Sequence, residues 1–206
     1  MSVIQSNYEK QCQIVSDINE HLPTLYTYTC KPTVNRVTEC GVRGVCSSYA
    51  FAAGLLTKTD KSQVYLYQSD LETNGNVTQF GKECQAEGIP VTFYEQSDLE
   101  CPMESTDLLF IDTWHIYGQL KRELARWHSV VSTYIILHDT TVDAELGETI
   151  RCGWNAVAQS KSSGFPLEEI TKGLWPAVEE FLAAHPEWVL EHRYTNNNGL
   201  TILRRL

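Results

Sequence analysis

Runs short enough for one strand, the fourth and fifth of them unbroken apolar, alternate along this chain with longer stretches of helical character. Residues 37–41, 63–68, 91–95, 107–111 and 133–137 read as strands, and 47–56 and 77–87 read as helices between them. Continuous apolar runs suit strands buried on both faces, as in a parallel sheet. Between the fourth and fifth runs, Ile116, Leu120, Leu124 and Trp127 recur at spacings of four and three, one face of a helix laid on a sheet. Strictly alternating strands and helices indicate a layered α/β domain rather than separate α and β regions.

The flanks differ from this regular centre. Residues 7–21 read as a polar-faced helix, and 23–36, with Pro23 and Pro32, leads into the sheet. We therefore divide the chain into an N-terminal helical segment, 1–36, packing on a core domain, 37–206. Beyond Asp139, residues 140–166 carry Gly147, Gly153, Gly164 and Pro166 among polar residues with no clear period. A connection of that length is typically a functional cover, so it is read as a lid over a substrate. Helical segments follow over 167–184, broken near Gly173, with Pro176 best placed in a first helical turn. Runs at 188–194 and 200–204 flank Asn198-Gly199, a strong hairpin signal. The expected fold is a Rossmann-like doubly wound sheet of about seven strands, mostly parallel with a C-terminal antiparallel hairpin and helices on both faces.

Composition removes several function classes. At 206 residues the chain fits one domain with a core of its own. A formal charge of -10 argues against nucleic acid, whose phosphates require clustered Lys and Arg. No segment approaches the length of a membrane span and the first residues lack a signal core, so no membrane partner is expected. Seven cysteines without a Cys-x-x-Cys pair fit reduced thiols and a cytoplasmic protein. None has a His-Asn constellation around it, so they read as small buried side chains.

Candidate chemistry gathers at the strand ends. Neighbouring parallel strands finish at one sheet edge, so Asp112 and His115 after the fourth strand should lie beside His138, Asp139 and Thr140 at the end of the fifth. That edge is where open α/β sheets bind ligands. After the first strand, Glu39-Cys-Gly41-Val-Arg-Gly44-Val-Cys-Ser47 removes side chains where backbone must approach a ligand and opens a helix whose amides can meet an anion. Asp70, after the second strand, is placed for hydroxyl recognition as in dinucleotide folds.

These motifs, with the terminal hairpin, resemble the class I S-adenosylmethionine-dependent methyltransferases over about residues 36–204. More closely, the chain resembles proteins related to cephalosporin hydroxylase and to sugar O-methyltransferases. Asp112-Thr-Trp-His115-Ile-Tyr117 matches their Asp-Gly-x-His-x-Tyr, with Thr113 in place of glycine, and His138-Asp139 matches their His-Asp. The catechol-type O-methyltransferases have a related layout, with metal-binding acids at these strand ends. The resemblance implies S-adenosylmethionine held by Glu39, Gly41, Gly44, Ser47, Asp70, Ser97, Asp98 and Asp112. Ser97 or Asp98 would approach the adenine. It implies a small hydroxylated acceptor and Mg2+ or another divalent cation on Asp112, His138, Asp139 and Thr140, oxygen ligands of the kind Mg2+ prefers being prominent among them. His115 is the expected proton acceptor, with Asp112 beside it as the second catalytic residue. A homodimer is compatible with a small acidic enzyme of this topology.

Two departures keep other readings in view. Thr113 and Val45 stand where the family usually has glycine, which leaves room for a non-catalytic ligand-binding descendant. An NAD-dependent oxidoreductase shares the first βαβ logic but normally carries Gly-x-Gly-x-x-Gly and lacks the hairpin. His21, His128, His185 and His192 read as surface residues, and the five tryptophans as core or lid packing. Glu145 and Glu148 fall near a substrate, but acidic loop residues are usually only solvated.

Overall fold

The computed structural model describes residues 2–206. In chain order the elements are α1 (Val3–Gln13), α2 (Leu22–Cys30), β1 (Arg36–Cys40), α3 (Cys46–Leu56), β2 (Tyr65–Asp70), α4 (Gly75–Ala86), β3 (Val91–Glu95) and β4 (Thr106–Ile111). They continue with α5 (Tyr117–Trp127), β5 (Val131–His138), α6 (Glu148–Arg151), α7 (Ala156–Ser163), α8 (Leu167–Thr171), α9 (Trp175–Ala184), β6 (Trp188–Tyr194) and β7 (Leu200–Arg205).

The sheet order is β3-β2-β1-β4-β5-β7-β6. Strands β1 to β5 pair in parallel, β7 runs antiparallel to β5, and β6 runs antiparallel to β7. The chain winds outward from β1 to β3 and then returns to β4, so a crevice opens between the carboxyl ends of β1 and β4. Register aligns the tips, with Cys40 opposite Ile111 and Ile111 opposite Leu137. Gly41, Asp112 and His138 consequently leave the sheet at one edge.

Each face of the sheet has its own core. On one side α3 is buried nearly all round through Ala50, Phe51, Ala52, Ala53 and Leu55, because α1 and α2 cover its outer face with Ile4, Tyr8, Leu22 and Leu25. Gly54 lets α2 come close, since a Cβ there would lie 2.6 Å from Thr29 Cβ. On the other side Leu120, Leu124 and Trp127 of α5 meet Val178 and Phe181 of α9 and Trp188 of β6. No helix among the described residues is long and apolar enough to cross a membrane.

Three local expectations change. The helix expected over 7–21 is shorter and earlier, Val3–Gln13 with a Ser2 N-cap, and a second helix, α2, follows it. Pro23, expected in a stretch that leads into the sheet, stands in the first turn of α2, where a missing N–H costs nothing. The stretch 140–166 contains α6 and α7, and α7 buries no residue. A helix with no buried face has no apolar period to reveal it. At the hairpin, Asn197 and Asn198 both take positive φ, 45° and 69°, ahead of Gly199 at 98°. That Asn and Gly content supplies the left-handed residues which tight strand reversals need.

In the turn after β1, Gly41 is a position that admits no side chain. Its φ is +85°, and a Cβ there would sit 1.9 Å from the carbonyl oxygen of Asp112. Gly44 meets nothing closer than Cys46 Sγ at 3.9 Å. Gly41→Ala is expected to lower unfolding free energy by about 2 to 4 kcal/mol, whereas Gly44→Ala should stay within about 0.5 kcal/mol. Urea denaturation of the two variants checks the contrast.

Candidate active site

A cavity of about 530 Å3 lies over the carboxyl ends of β1, β2 and β4. Its wall brings together Gly41, Gly44, Ser47, Asp70, Ser97, Asp98, Asp112, His115 and Asp139, nearly all the expected site residues. Asp17 and Ile18, from the turn between α1 and α2, complete the wall on one side.

The turn after β1 is shaped by left-handed residues. Gly41, Arg43 and Val45 have φ of 85°, 41° and 61°. Asp70, the last residue of β2, holds this turn: its Oδ2 accepts the Val42 and Arg43 amides at 2.8 Å each, and its Oδ1 accepts the Leu71 amide at 2.7 Å. Oδ1, with a single donor, retains a second lone pair for a ligand hydroxyl. Val45 offers α3 no side-chain cap, so Cys46 and Ser47 bring the amino end of that helix to the cavity.

Glu39 does not reach the cavity, which corrects the expectation that it meets the ligand directly. It is fully buried beneath the wall and accepts hydrogen bonds from Ser47 Oγ, Ser48 Oγ and Gln68 Nε2. Burial pushes its carboxyl up to about 7, although those three donors oppose the shift. Its reach is indirect, through the Ser47 hydroxyl on the wall.

At the far end, Asp98 is nine-tenths buried and belongs to a polar chain the sequence did not disclose. Gln119 Nε2 donates to Asp98 Oδ1 at 3.1 Å and to Glu123 Oε1 at 2.8 Å, and Thr113 Oγ1 also donates to Glu123. Burial raises the Asp98 carboxyl, and burial with the nearby Asp98 charge holds Glu123 well above the usual range. Asp98 Oδ2 faces no hydrogen-bond partner. Thr113, where the resemblance has glycine, is thereby committed to Glu123.

The tips of β4 and β5 carry two imidazoles among carboxylates. His115 Nε2 lies 3.1 Å from Asp112 Oδ1, and its Nδ1 lies 3.1 Å from Asp139 Oδ2, 3.3 Å from Asp143 Oδ2 and 3.7 Å from Glu148 Oε2. His138 Nδ1 is 3.2 Å from Asp112 Oδ1 and 3.4 Å from Asp139 Oδ2, while its Nε2 is 3.1 Å from the Asp17 carbonyl oxygen. All four ring nitrogens therefore face acceptors. Either both rings carry two protons or a cation shares the cluster.

Electrostatics favours the charged rings when no cation is bound. Burial alone would lower His138, but the Asp112 carboxylate beside it prevails and holds it up to about 10. His115 is likewise opposed by burial and raised well above its ordinary value by Asp112, Asp143 and Asp139. Burial works to raise Asp112, yet the two imidazoles keep it far below the usual carboxylate range. A doubly protonated His115 has no free lone pair, so the ring could accept a proton only after losing one.

Two ligand assignments also change. Thr140 is fully buried away from the cluster; its hydroxyl accepts from Thr201 Oγ1 at 2.9 Å and its carbonyl accepts from Arg193. Asp143 takes that place instead, four residues after Asp139 and held by Arg151 through two bonds of 2.5 and 2.8 Å. The Asp-x-x-x-Asp spacing, one helical turn, was the only sequence signal for it. Glu148 also lines the cavity.

The donor set fits a divalent cation. Asp112, His138 and Asp139 present ligand atoms within 4.8 Å of one another, as do His115, Asp139 and Asp143. Asp139 Oδ1 is buried without a partner, and so is His115 Nδ1 by strict hydrogen-bond geometry. His138 is oriented as metal-binding histidines are, one nitrogen toward the carboxylates and the other against a backbone carbonyl.

The segment after Asp139 closes over this edge. Trp114 stacks on Phe165 with centroids 6.0 Å apart and donates from Nε1 to Thr149 Oγ1 at 3.2 Å. Thr149 donates onward to Gln159 Oε1 at 2.7 Å. Trp154 is 47% exposed and lies outside the cavity wall.

Sheet order, terminal hairpin and strand-end cavity define the fold of the class I S-adenosylmethionine-dependent methyltransferases. Among solved structures, the chain is similar to an O-methyltransferase from Bacillus cereus in complex with S-adenosylhomocysteine, at 14% identity and a TM-score of 0.63, covering 98% of this chain and 91% of that one. It is similar to the S-adenosylhomocysteine-bound methyltransferase PaMTH1 of Podospora anserina, at 15% identity and a TM-score of 0.61, covering 98% and 87%. It is also similar to the O-methyltransferase TomG of Streptomyces achromogenes, involved in tomaymycin synthesis and solved with S-adenosylmethionine, at 12% identity and a TM-score of 0.62, covering 97% and 89%. No protein-family model matches the chain, and no curated protein sequence does.

Glu39 supplies a pH signature. Its folded-state value, about 7, lies above the ordinary carboxylate value, so its contribution to stability is fully present in acid and is lost as pH rises through about 7. The loss should reach up to about 3 kcal/mol, and Glu39→Gln should abolish that pH-dependent component. Urea unfolding of both proteins at pH 4.5, 6 and 8 in the presence of chelator measures it.

Proposed function

We propose that the protein is an S-adenosylmethionine-dependent methyltransferase acting on a hydroxyl oxygen of a small molecule, with a divalent cation assisting. The observation that carries this reading is the convergence of the Gly41 turn, Asp70 and the Asp112–His115–Asp139 cluster on one cavity. The cofactor's carboxylate would meet the amino end of α3 near Gly44 and Ser47, its ribose the Asp70 carboxylate, and its adenine Ser97 and Asp98. Asp112, between the two regions, would face the sulfonium. The N-terminal segment, residues 1–36, would serve as part of the enclosure through Asp17 and Ile18.

A sulfonium is already an activated leaving group, so the protein has chiefly to align donor and acceptor and to ease ionisation of the hydroxyl. A bound divalent cation lowers the pKa of a hydroxyl that it contacts. Asp112, Asp139 and Asp143 with His138 would hold it. A set that includes imidazole nitrogen suits Mn2+, Fe2+, Co2+ or Zn2+ as well as Mg2+. His115, once it has given up its second proton to solvent, would have a free ring nitrogen with which to take up the acceptor's proton. Trp114, tied to Thr149, orients the cover and excludes water above the reacting atoms.

Calorimetry with S-adenosylhomocysteine and NAD tests the cofactor reading. Selective binding of the sulfur compound is expected, and Asp70→Ala should weaken it by roughly 1.5 to 3 kcal/mol, the worth of hydrogen bonds to a charged group. Binding of neither compound would instead favour a non-catalytic ligand-binding protein. For the cation, Asp139→Asn keeps a residue tolerant of the φ of +56° at that position. It should lose the divalent-ion dependence of turnover while S-adenosylhomocysteine affinity stays nearly unchanged, and metal-dependent turnover equal to wild type would remove the cation from this cluster.

A further inference from the structure

A second cluster of metal-binding side chains lies at the opposite edge of the sheet from the cavity. His128 caps the carboxyl end of α5, His185 caps that of α9, and Glu187 immediately precedes β6. Helices that follow parallel strands run back to the sheet's other edge, so these three meet where β5 and β6 begin. Their ligand atoms lie within 4.8 Å of one another. The two imidazole centroids are 4.2 Å apart, and His185 Nδ1 is 3.2 Å from Glu187 Oε1.

The backbone holds this arrangement. His185-Pro186-Glu187 forms a tight turn closed by the Trp188 amide donating to the His185 carbonyl at 2.9 Å, and the Leu206 amide donates to the Glu187 carbonyl at 2.8 Å. Phe181 packs against both rings, at 4.7 Å from His185 and 5.8 Å from His128. One atom lacks a partner: His128 Nδ1 is buried with no hydrogen bond. Arg205 is the nearby cation, but its Nη1 is bound to the Val131 carbonyl at 2.7 Å.

We propose that His128, His185 and Glu187 form a peripheral site for a borderline transition ion, Zn2+ or Ni2+ by chemistry, which ties the ends of α5 and α9 to the start of β6. Two imidazoles and one carboxylate supply three ligands, and water completes a tetrahedron around zinc. Nitrogen donors of this kind discriminate against Mg2+ and Ca2+. The proposal is independent of the methyl-transfer reading, because none of these residues lines the cavity.

The test titrates Co2+ and Zn2+ into untagged, chelator-treated protein carrying Asp139→Asn, which weakens the strand-end cluster. One equivalent should bind, with the visible absorption of tetrahedral Co2+ displaced by Zn2+ and untouched by excess Mg2+, and Zn2+ should raise the thermal midpoint. Adding His185→Ala to this protein should weaken Zn2+ binding by roughly tenfold or more and abolish the thermal shift. Glu187→Gln, a milder surface change, should weaken it as well. Equal Zn2+ binding and an equal thermal shift with and without His185→Ala, or no stoichiometric binding in the Asp139→Asn protein, would overturn the site.

Discussion

Four carboxylates and two imidazoles gather beyond the tips of β4 and β5, and the partial compensation of their charges is the constraint around which the rest of this edge is arranged. Asp112, Asp139, Asp143 and Glu148 could not be brought together and half-buried without compensating positive charge. His115 and His138 supply it in the cation-free state, and Arg151 screens Asp143 from outside. A metal ion would exchange with ring protons of similar total charge. The cluster would thus persist with or without the proposed ion, which is what reversible binding at a preformed site requires.

The position of that cluster is set by backbone contacts rather than by the charges. The Gly41 turn passes directly over the Asp112 carbonyl, and Asp112 N donates to the Cys40 carbonyl at 2.9 Å. Those contacts lock the tip of β1 to the tip of β4. Asp70 then pins the same turn from β2 through the Val42 and Arg43 amides. Three adjacent strands are joined at their ends, and the cavity inherits their rigidity.

The cover is built from different material. The turn between α1 and α2 reaches the site through the Asp17 carbonyl on His138 and the Asp17–Arg43 ion pair at 2.9 Å, of which Arg43 is largely exposed. On the opposite side α6 is held by Arg151 on Asp143 and by the Glu148 amide on the His115 carbonyl, whereas α7 buries nothing and is tied back through Gln159 to Thr149. The few buried contacts of α7 imply a low cost of local opening there.

Strand and helix periodicity, read residue by residue, determined the layered α/β class, the crossover direction and the shared edge of Asp112, His115, His138 and Asp139. Local chemistry determined the hairpin at Asn198-Gly199 and the need for glycine at 41. These are short-range consequences of side-chain pattern and backbone sterics, so they are legible in a linear chain. Tertiary structure alone decided that Glu39 lies under the wall, that Thr140 turns toward Thr201 and that Asp143 turns inward beside His115. It also decided that His115 meets carboxylates on both ring nitrogens and that Gln119 links Asp98 to Glu123. Such outcomes depend on which partners arrive from distant segments and on the burial they impose, and neither quantity is encoded in the spacing of residues along the chain.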